Sequence, residues 1–164
     1  MAQPPIYVFS AAQHSHLVPY LAALHGTCIT QDHMTGAFLP PLNHEKLLAC
    51  RSGTRAKGTE LVGAALLSLP ASETSPFRAQ VESLLVNPRY RRRGKAMELM
   101  NGVHAEAIKR NKTLLTAEAQ SGSAGETLLK KLGYIEVGRV PNYSFSPADM
   151  KKRDQTILYM ELGA

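Results

Sequence analysis

Residues 78–96 read RAQVESLLVNPRYRRRGKA. The run Arg78 to Val86 suits a half-buried pleated strand, and Asn87-Pro88 closes it. From Lys95 to about Arg110 the pattern turns helical, with Ala96, Met100, Val103 and Ala107 recurring on one face. Between the two lies the densest signal in the chain, Arg91-Arg92-Arg93-Gly94-Lys95-Ala96. Such a junction is an anion site by construction: the first helical amides lack intrahelical partners, and the positive end of the helix dipole points at the same spot. Gly94 lets the backbone approach a phosphate closely, and the arginines add forked charged donors. Neither GxxxxGK[ST] nor GxGxxG occurs, so the loop is not one of the common nucleotide fingerprints.

Downstream of that helix, Thr113 to Glu118 reads as a strand. The helix Ala124 to Leu132 is opened by the capping box Ser123/Glu126 and stopped by Gly133. Ile135 to Val140 and Thr156 to Leu162 are the last strands, with the polar stretch PNYSFSPADMKKRDQ between them. Upstream, Ile6 to Phe9 is a β-prone run, followed by Leu17, Leu21, Leu24 and Cys28 at helical spacing. The segment QDHMTGAFLPPLN has no clean period, and Pro40-Pro41 forbids a regular helix through it. Lys46–Cys50 and Glu60–Leu69 read as an antiparallel hairpin around the basic loop SGTRAKGT, with Pro70 as its stop. The strand-helix-strand-helix-strand order through the centre implies a parallel pair at Arg78–Val86 and Thr113–Glu118, with hairpins at either end. The expectation is an α/β fold with a mixed sheet, in a single domain over residues 1–164.

Composition agrees with one compact domain: 164 residues, 44% of them hydrophobic and 20% charged, which excludes a wholly disordered basic tail. No apolar run is long enough to cross a bilayer, and Met-Ala-Gln-Pro-Pro lacks the features of a secretory signal, so a soluble cytoplasmic protein with no membrane partner is expected. Cys28 and Cys50 form no disulfide framework and are expected as reduced buried thiols. His14, His16, His25, His33, His44 and His104 share no ligand spacing, so no metal is expected. The 19 Lys+Arg against 13 Asp+Glu leave +6, which suits a polyanion: nucleic acid, an acidic membrane or a phosphorylated cofactor.

Leu84-Leu85-Val86-Asn87-Pro88 followed by Arg91-x-x-Gly94-x-Ala96 resembles the acetyl-CoA motif of the GNAT superfamily of N-acetyltransferases. The order AQVESLLVNPRYRRRGKAMELM, LLTAEAQSGSAGE, GYIEVGRVPNY is most similar to its tabtoxin-resistance branch. The resemblance runs from about Arg78 to the C-terminus, and the N-terminal third fits it only through its element order. It implies a mostly antiparallel mixed sheet whose central parallel strands splay, flanked by helices, with acetyl-CoA in the V between them. By matching position, Leu84, Leu85 and Val86 form the strand edge along the cofactor. The Leu84 amide would polarise the acetyl carbonyl, and Val86 would bond the pantetheine arm. The loop Arg91, Arg92, Arg93, Gly94, Lys95 and Ala96 would hold the pyrophosphate through the amides of Arg92 to Ala96.

The resemblance also implies direct attack of an acceptor amine on the thioester, which needs a base and can use an acid. The glutamate that several relatives carry aligns here with Gln80, which cannot act as a base. Glu82 lies one pleat repeat further along, and Glu118 matches an aspartate of the tabtoxin-resistance branch. Each is a candidate base, weighed against a solvated or paired carboxylate. The family's general-acid tyrosine is replaced by Leu129, which would line the cofactor, while a thiol of pKa about 8.5 leaves fairly well unaided. Tyr143 could supply a hydroxyl from across the cleft, and Tyr134 reads as core. Cys28 reads as a packed thiol beside His25, Met97 and Met100 as helix packing, and Lys151-Lys152-Arg153 as a solvated turn. The expected acceptor is a small-molecule amine and the expected state a monomer or homodimer. Three rivals stand beside this. One is a protein or peptide acetyltransferase, with GAFLPPL and PNYSFSP flanking an open groove. Another is a nucleic-acid module built on RYRRRGK, which lacks aromatic interleaving beyond Tyr90. The third is a coenzyme A-binding protein without catalysis, suggested by Leu129 and Gln80.

Overall fold

The computed structural model describes residues 6, 8–32, 61–147 and 149–163. Along them run α1 (Ala11–His14), a 3-10 turn (Ser15–Leu17), α2 (Val18–Asp32), β1 (Gly63–Ser68), β2 (Arg78–Val86), a second 3-10 turn (Pro88–Tyr90), α3 (Lys95–Lys109), β3 (Leu114–Gln120), α4 (Ala124–Lys131), β4 (Ile135–Phe145) and β5 (Lys152–Glu161). The strands form one sheet in the order β1-β2-β3-β5-β4, in which only β2 and β3 are parallel. The α/β mixed sheet expected from the central element order is therefore present.

The helices form where their ends are chemically fixed. Gly94, at φ 75° and ψ −2°, starts α3, a left-handed conformation that a glycine adopts without steric cost. At α4 the Ser123 hydroxyl accepts from the Glu126 amide at 3.2 Å, and the Glu126 carboxylate reaches back to the Gly122 amide at 2.6 Å. Gly133, at φ 94°, ends that helix.

Two apolar clusters sit on opposite faces of the sheet. Leu99, Met100, Val103 and Ala107 are the buried residues of α3. The last three join Leu129 of α4 over Ala79, Val81, Leu115, Ala117, Ala119 and Leu158. On the other face Leu21, Leu24 and Cys28 of α2 pack with Ala64 of β1 and Leu85 of β2. This is the spacing that the sequence pattern gave for the first helix.

β2 changes face midway. Its register with β1 shifts between Leu66, opposite Ser83, and Leu67, opposite Val81, so Glu82 is the extra residue of a β-bulge. Before the bulge Ala79 and Val81 point to the α3–α4 core; beyond it Leu84 packs on that core and Leu85 on the α2 core. Pairing of β2 with β3 covers Arg78↔Leu114 to Val81↔Ala117 and stops there. A bulge bends its strand and increases its twist, so the ends of the parallel pair diverge where the bulge begins.

Several expectations need correction. Ile6, Val8 and Phe9 carry no strand. The stretch from Pro141 to Gln155 is mostly strand: β4 continues to Phe145 and β5 begins at Lys152, because irregular register in β4 absorbs residues that break strict alternation. Lys152 and Arg153 are thus the start of a strand, with Arg153 paired to Asp149 at 2.6 Å. Met97 is exposed, whereas Met100 is fully buried. The expected strand Lys46–Cys50, the basic loop after it, GAFLPPL, His33, His44 and Cys50 lie outside the described residues.

Candidate active site

The loop that leaves β2 is built from the strand end. Asn87 accepts from the Arg89 amide at 3.1 Å through its side-chain oxygen and donates from Nδ2 to the Leu61 carbonyl at 3.3 Å. The Asn87 amide also donates to the Val62 carbonyl at 2.9 Å. That bond fixes the phase of the strand. The main-chain groups of Leu85 face β1, and those of Leu84 and Val86 face the gap toward β3, since successive residues alternate.

Arg91 was expected among the phosphate donors, and the structure gives its side chain another task. Its Nε donates to the Val86 carbonyl at 3.1 Å, and its guanidinium lies 3.8 Å from the Cys28 sulfur. The Cys28 thiol itself points at the same carbonyl, at 3.7 Å. A buried thiol on α2 and a guanidinium from the loop thus converge on the end of β2, which ties helix, strand and loop together. Sequence reading missed this, since Cys28 and Arg91 are distant in the chain.

Beyond Arg91 the loop opens. Arg92 (φ 59°) and Gly94 (φ 75°) are both left-handed, which curls successive amides into a concave nest. Among the described residues no side chain caps the start of α3, and none places a heavy atom, chain neighbours aside, within 4 Å of where a Gly94 side chain would begin. Arg92 and Arg93 are exposed, while Lys95 pairs with Glu98 at 2.8 Å along its own helix. Unpartnered helix amides, the dipole and two outward arginines fit an anion with several phosphoryl oxygens.

At the other end of the gap, the structure brings together two residues singled out in the sequence. Glu118 is exposed on β3, opposite Ile157 of β5. Ala117 and Ala119 are buried in the α3–α4 core, so Glu118 projects from the opposite face. Tyr143 lies in the irregular part of β4, where the register jumps between Val140 and Ser144 and Asn142 adopts φ 54°. The negative charge of the neighbouring Glu118 pushes the Tyr143 phenol above its ordinary pKa, with a smaller contribution from burial. Glu82 is exposed at the bulge, where the alternation that was to align it with Gln80 stops.

Two further positions are decided by packing. Leu129 is 6% exposed within the α3–α4 core. Tyr134 is core, as expected, and its hydroxyl meets His104 Nε2 at 3.1 Å. Burial pushes the Tyr134 phenol far up and lowers His104, so both are neutral partners.

The model of the acetyltransferase (GNAT) domain matches residues 25–146. The chain belongs to the GNAT acetyltransferase family. It is accordingly an acyltransferase that uses acetyl-CoA, and the open loop and diverging strands fit that co-substrate. Solved GNAT structures share its fold at low sequence identity. A protein assigned as a phosphinothricin N-acetyltransferase superposes with a TM-score of 0.81 at 16% identity, covering 99% of this chain and 100% of that one. An assigned acetyltransferase from Salmonella typhimurium, solved with its cofactor acetyl-CoA, gives 0.75 at 14% identity over 97% and 94% of the two chains. The ribosomal-protein-S18-alanine N-acetyltransferase from Escherichia coli gives 0.71 at 18% over 99% and 96%. Among the described residues no helix is long and apolar enough to cross a membrane.

Proposed function

We propose that this GNAT protein, acting as one domain over residues 1–164, transfers the acetyl group of acetyl-CoA to the amine of a small molecule. The observation that carries the reading is the Glu118–Tyr143 pair at the mouth of a parallel strand pair that ends at Val81 and Ala117. The small-molecule acceptor is supported by the tabtoxin-resistance-like order of the second half and by the fold shared with the phosphinothricin enzyme.

The pyrophosphate lies in the nest of Arg92 to Ala96, with Arg92 and Arg93 supplying charge and Arg91 holding the loop in shape. The pantetheine arm runs along the gap-facing edge of Leu84 and Val86, where the Val86 amide is the group left to meet it, since the Val86 carbonyl accepts from Arg91 and the main-chain groups of Leu85 face β1. The Leu84 amide donates to the acetyl carbonyl oxygen and stabilises the negative charge that grows there as the amine adds. Glu118 takes the proton released from the attacking nitrogen. Tyr143 stays protonated and donates to Glu118, orienting it; a phenol with a raised pKa is a poor acid for the thiolate. The C–N bond forms first, giving a tetrahedral intermediate; its collapse restores the carbonyl and breaks the C–S bond, and the thiolate leaves unaided or takes a proton from water. Leu129 is a wall behind the cleft, and Glu82 is the base in reserve.

Calorimetry with acetyl-CoA and a screen of amino acids, amino sugars, polyamines and antibiotics for coenzyme A release test this reading. Wild type should bind acetyl-CoA, and Gly94→Glu should lose binding by placing a carboxylate among the phosphates. Equal binding by both proteins, or release with peptides alone, would overturn it.

A further inference from the structure

Gln155 of β5 is buried, 9% exposed, and its Oε1 accepts no hydrogen bond. Buried polar atoms in folded proteins nearly always have a partner, so one without a partner needs an explanation. Its position supplies one. β5 pairs with β3 in unbroken register from Leu114↔Glu161 to Gln120↔Gln155. Leu158 points into the α3–α4 core, so Gln155 and Ile157 point to the opposite face, the face from which Glu118 projects. Ile157 faces Glu118 directly, which makes Gln155, opposite Gln120, one of the two diagonal cross-strand neighbours of Glu118, Tyr159 being the other. Diagonal Cα atoms stand roughly 7–8 Å apart, within reach of two long side chains. A second orphan lies nearby: the Ser144 hydroxyl of β4, next in sequence to Tyr143, is buried without a partner.

We infer that Gln155 is an acceptor-binding residue, whose Oε1 accepts a hydrogen bond from a second N–H or O–H group of the amine while Glu118 receives the proton of the reacting nitrogen. The substrate class is therefore an amine carrying a further donor a few bonds from its nitrogen, such as an amino alcohol or a diamine, rather than a plain alkylamine. Until such a substrate binds, the protein holds a desolvated oxygen without a partner. This assignment rests on the small-amine reading above and names the chemistry of its acceptor.

The test compares linear aminoalkanols of three to five carbons with alkylamines of equal length, by kcat/KM, in wild type, Gln155→Met and Gln155→Glu. Wild type should favour the aminoalkanol by about tenfold or more, because the alkylamine leaves Oε1 unpaired. Gln155→Met, close in volume, should bring that ratio toward one, leave acetyl-CoA affinity unchanged and raise the Tm by roughly 2–4 °C, since it removes the unpartnered oxygen. Gln155→Glu keeps an oxygen in place and should keep the preference. An unchanged ratio in Gln155→Met, an equal loss on both amines, or a Met variant that melts lower or does not fold would show a structural carboxamide and overturn the assignment. Failure of wild type to acetylate any member of either series, with acetyl-CoA still bound, would instead overturn the small-amine reading and this inference with it.

Discussion

Val81 and Ala117 are the last residues at which β2 and β3 face each other in register, and the next residue of β2, Glu82, is the one left over in the pairing with β1. The bulge and the divergence of the strands are one event. An extra residue on one edge turns the β2 main chain out of plane just where the opposite edge must leave β3, and the Leu84 and Val86 groups on that edge then face the gap rather than a paired strand.

Deleting Glu82 should therefore be far more harmful than changing its side chain. The deletion removes the bulge and leaves Leu84 and Leu85 on their own cores in a strictly alternating strand, so we expect a cooperative thermal transition to persist while acetyl-CoA affinity falls by calorimetry, because β2 no longer bends away from β3. Glu82→Gln, on an exposed side chain, should change stability by no more than about 0.5 kcal/mol and leave acetyl-CoA affinity unchanged by calorimetry.

Glu118→Gln should lower kcat roughly 10²-fold or more without altering acetyl-CoA binding. The same substitution should lower the pKa of Tyr143 toward its ordinary value, because the Glu118 charge is the leading cause of its upward shift. An ultraviolet phenolate titration, with Tyr143→Phe subtracted, reads this directly; an unmoved Tyr143 would separate the pair.

Arg91 and its neighbours should behave differently. Arg91→Ala removes the donor to the Val86 carbonyl and the contact with Cys28, so both thermal stability and acetyl-CoA affinity should fall, by about 1–2 kcal/mol in stability. Arg91→Lys should not rescue it, since one ammonium cannot replace a fork reaching two partners. Arg92→Ala with Arg93→Ala should leave the melting temperature alone and weaken acetyl-CoA in a salt-dependent way. Random duplex DNA should bind only weakly at physiological salt and be displaced by acetyl-CoA.

The α4 cap sets an acid limit on stability. Lys130, the Gly122 amide and Arg139 hold the buried Glu126 carboxyl below its ordinary value, against the opposing effect of burial. A carboxylate with a depressed folded pKa adds stability above its unfolded pKa and loses it as pH falls through the folded one. Glu126→Ala should cost about 1–2 kcal/mol at neutral pH. The gap to wild type should narrow as pH drops below the ordinary carboxylate range, which melting curves between pH 7 and roughly pH 3 would record.

The sequence resemblance aligns Leu129 with the family's acid tyrosine, but a tyrosine placed there should not act as an acid. The side chain is packed in the α3–α4 core, so Leu129→Tyr should destabilise by about 1–3 kcal/mol through overpacking and give no gain in turnover at high pH. A rise in kcat at unchanged stability would show that the position reaches the thioester sulfur.

The local signals of the chain were enough to fix the two helices of its second half and strand β2. The Ser123/Glu126 box, Gly133 and the α3 face from Met100 to Ala107 act within a few residues, and strand β2 was legible to its last residue. The helix start after the Arg91–Ala96 loop was equally legible, and it carries its unpaired amides wherever it is placed. What a period-two pattern could not contain was the bulge at Glu82, since the extra residue has meaning only against the register of β1. For the same reason β4 read as ending at Val140 and its irregular continuation to Phe145 as a loop. Meetings across the fold were decided by tertiary structure alone: Arg91 and Cys28 at the Val86 carbonyl, Tyr143 beside Glu118, and Gln155 on the Glu118 face. Each depends on strands and helices far apart in the chain being brought together, and burial rather than residue type decides whether an arginine reaches for a phosphate or holds a strand end in place.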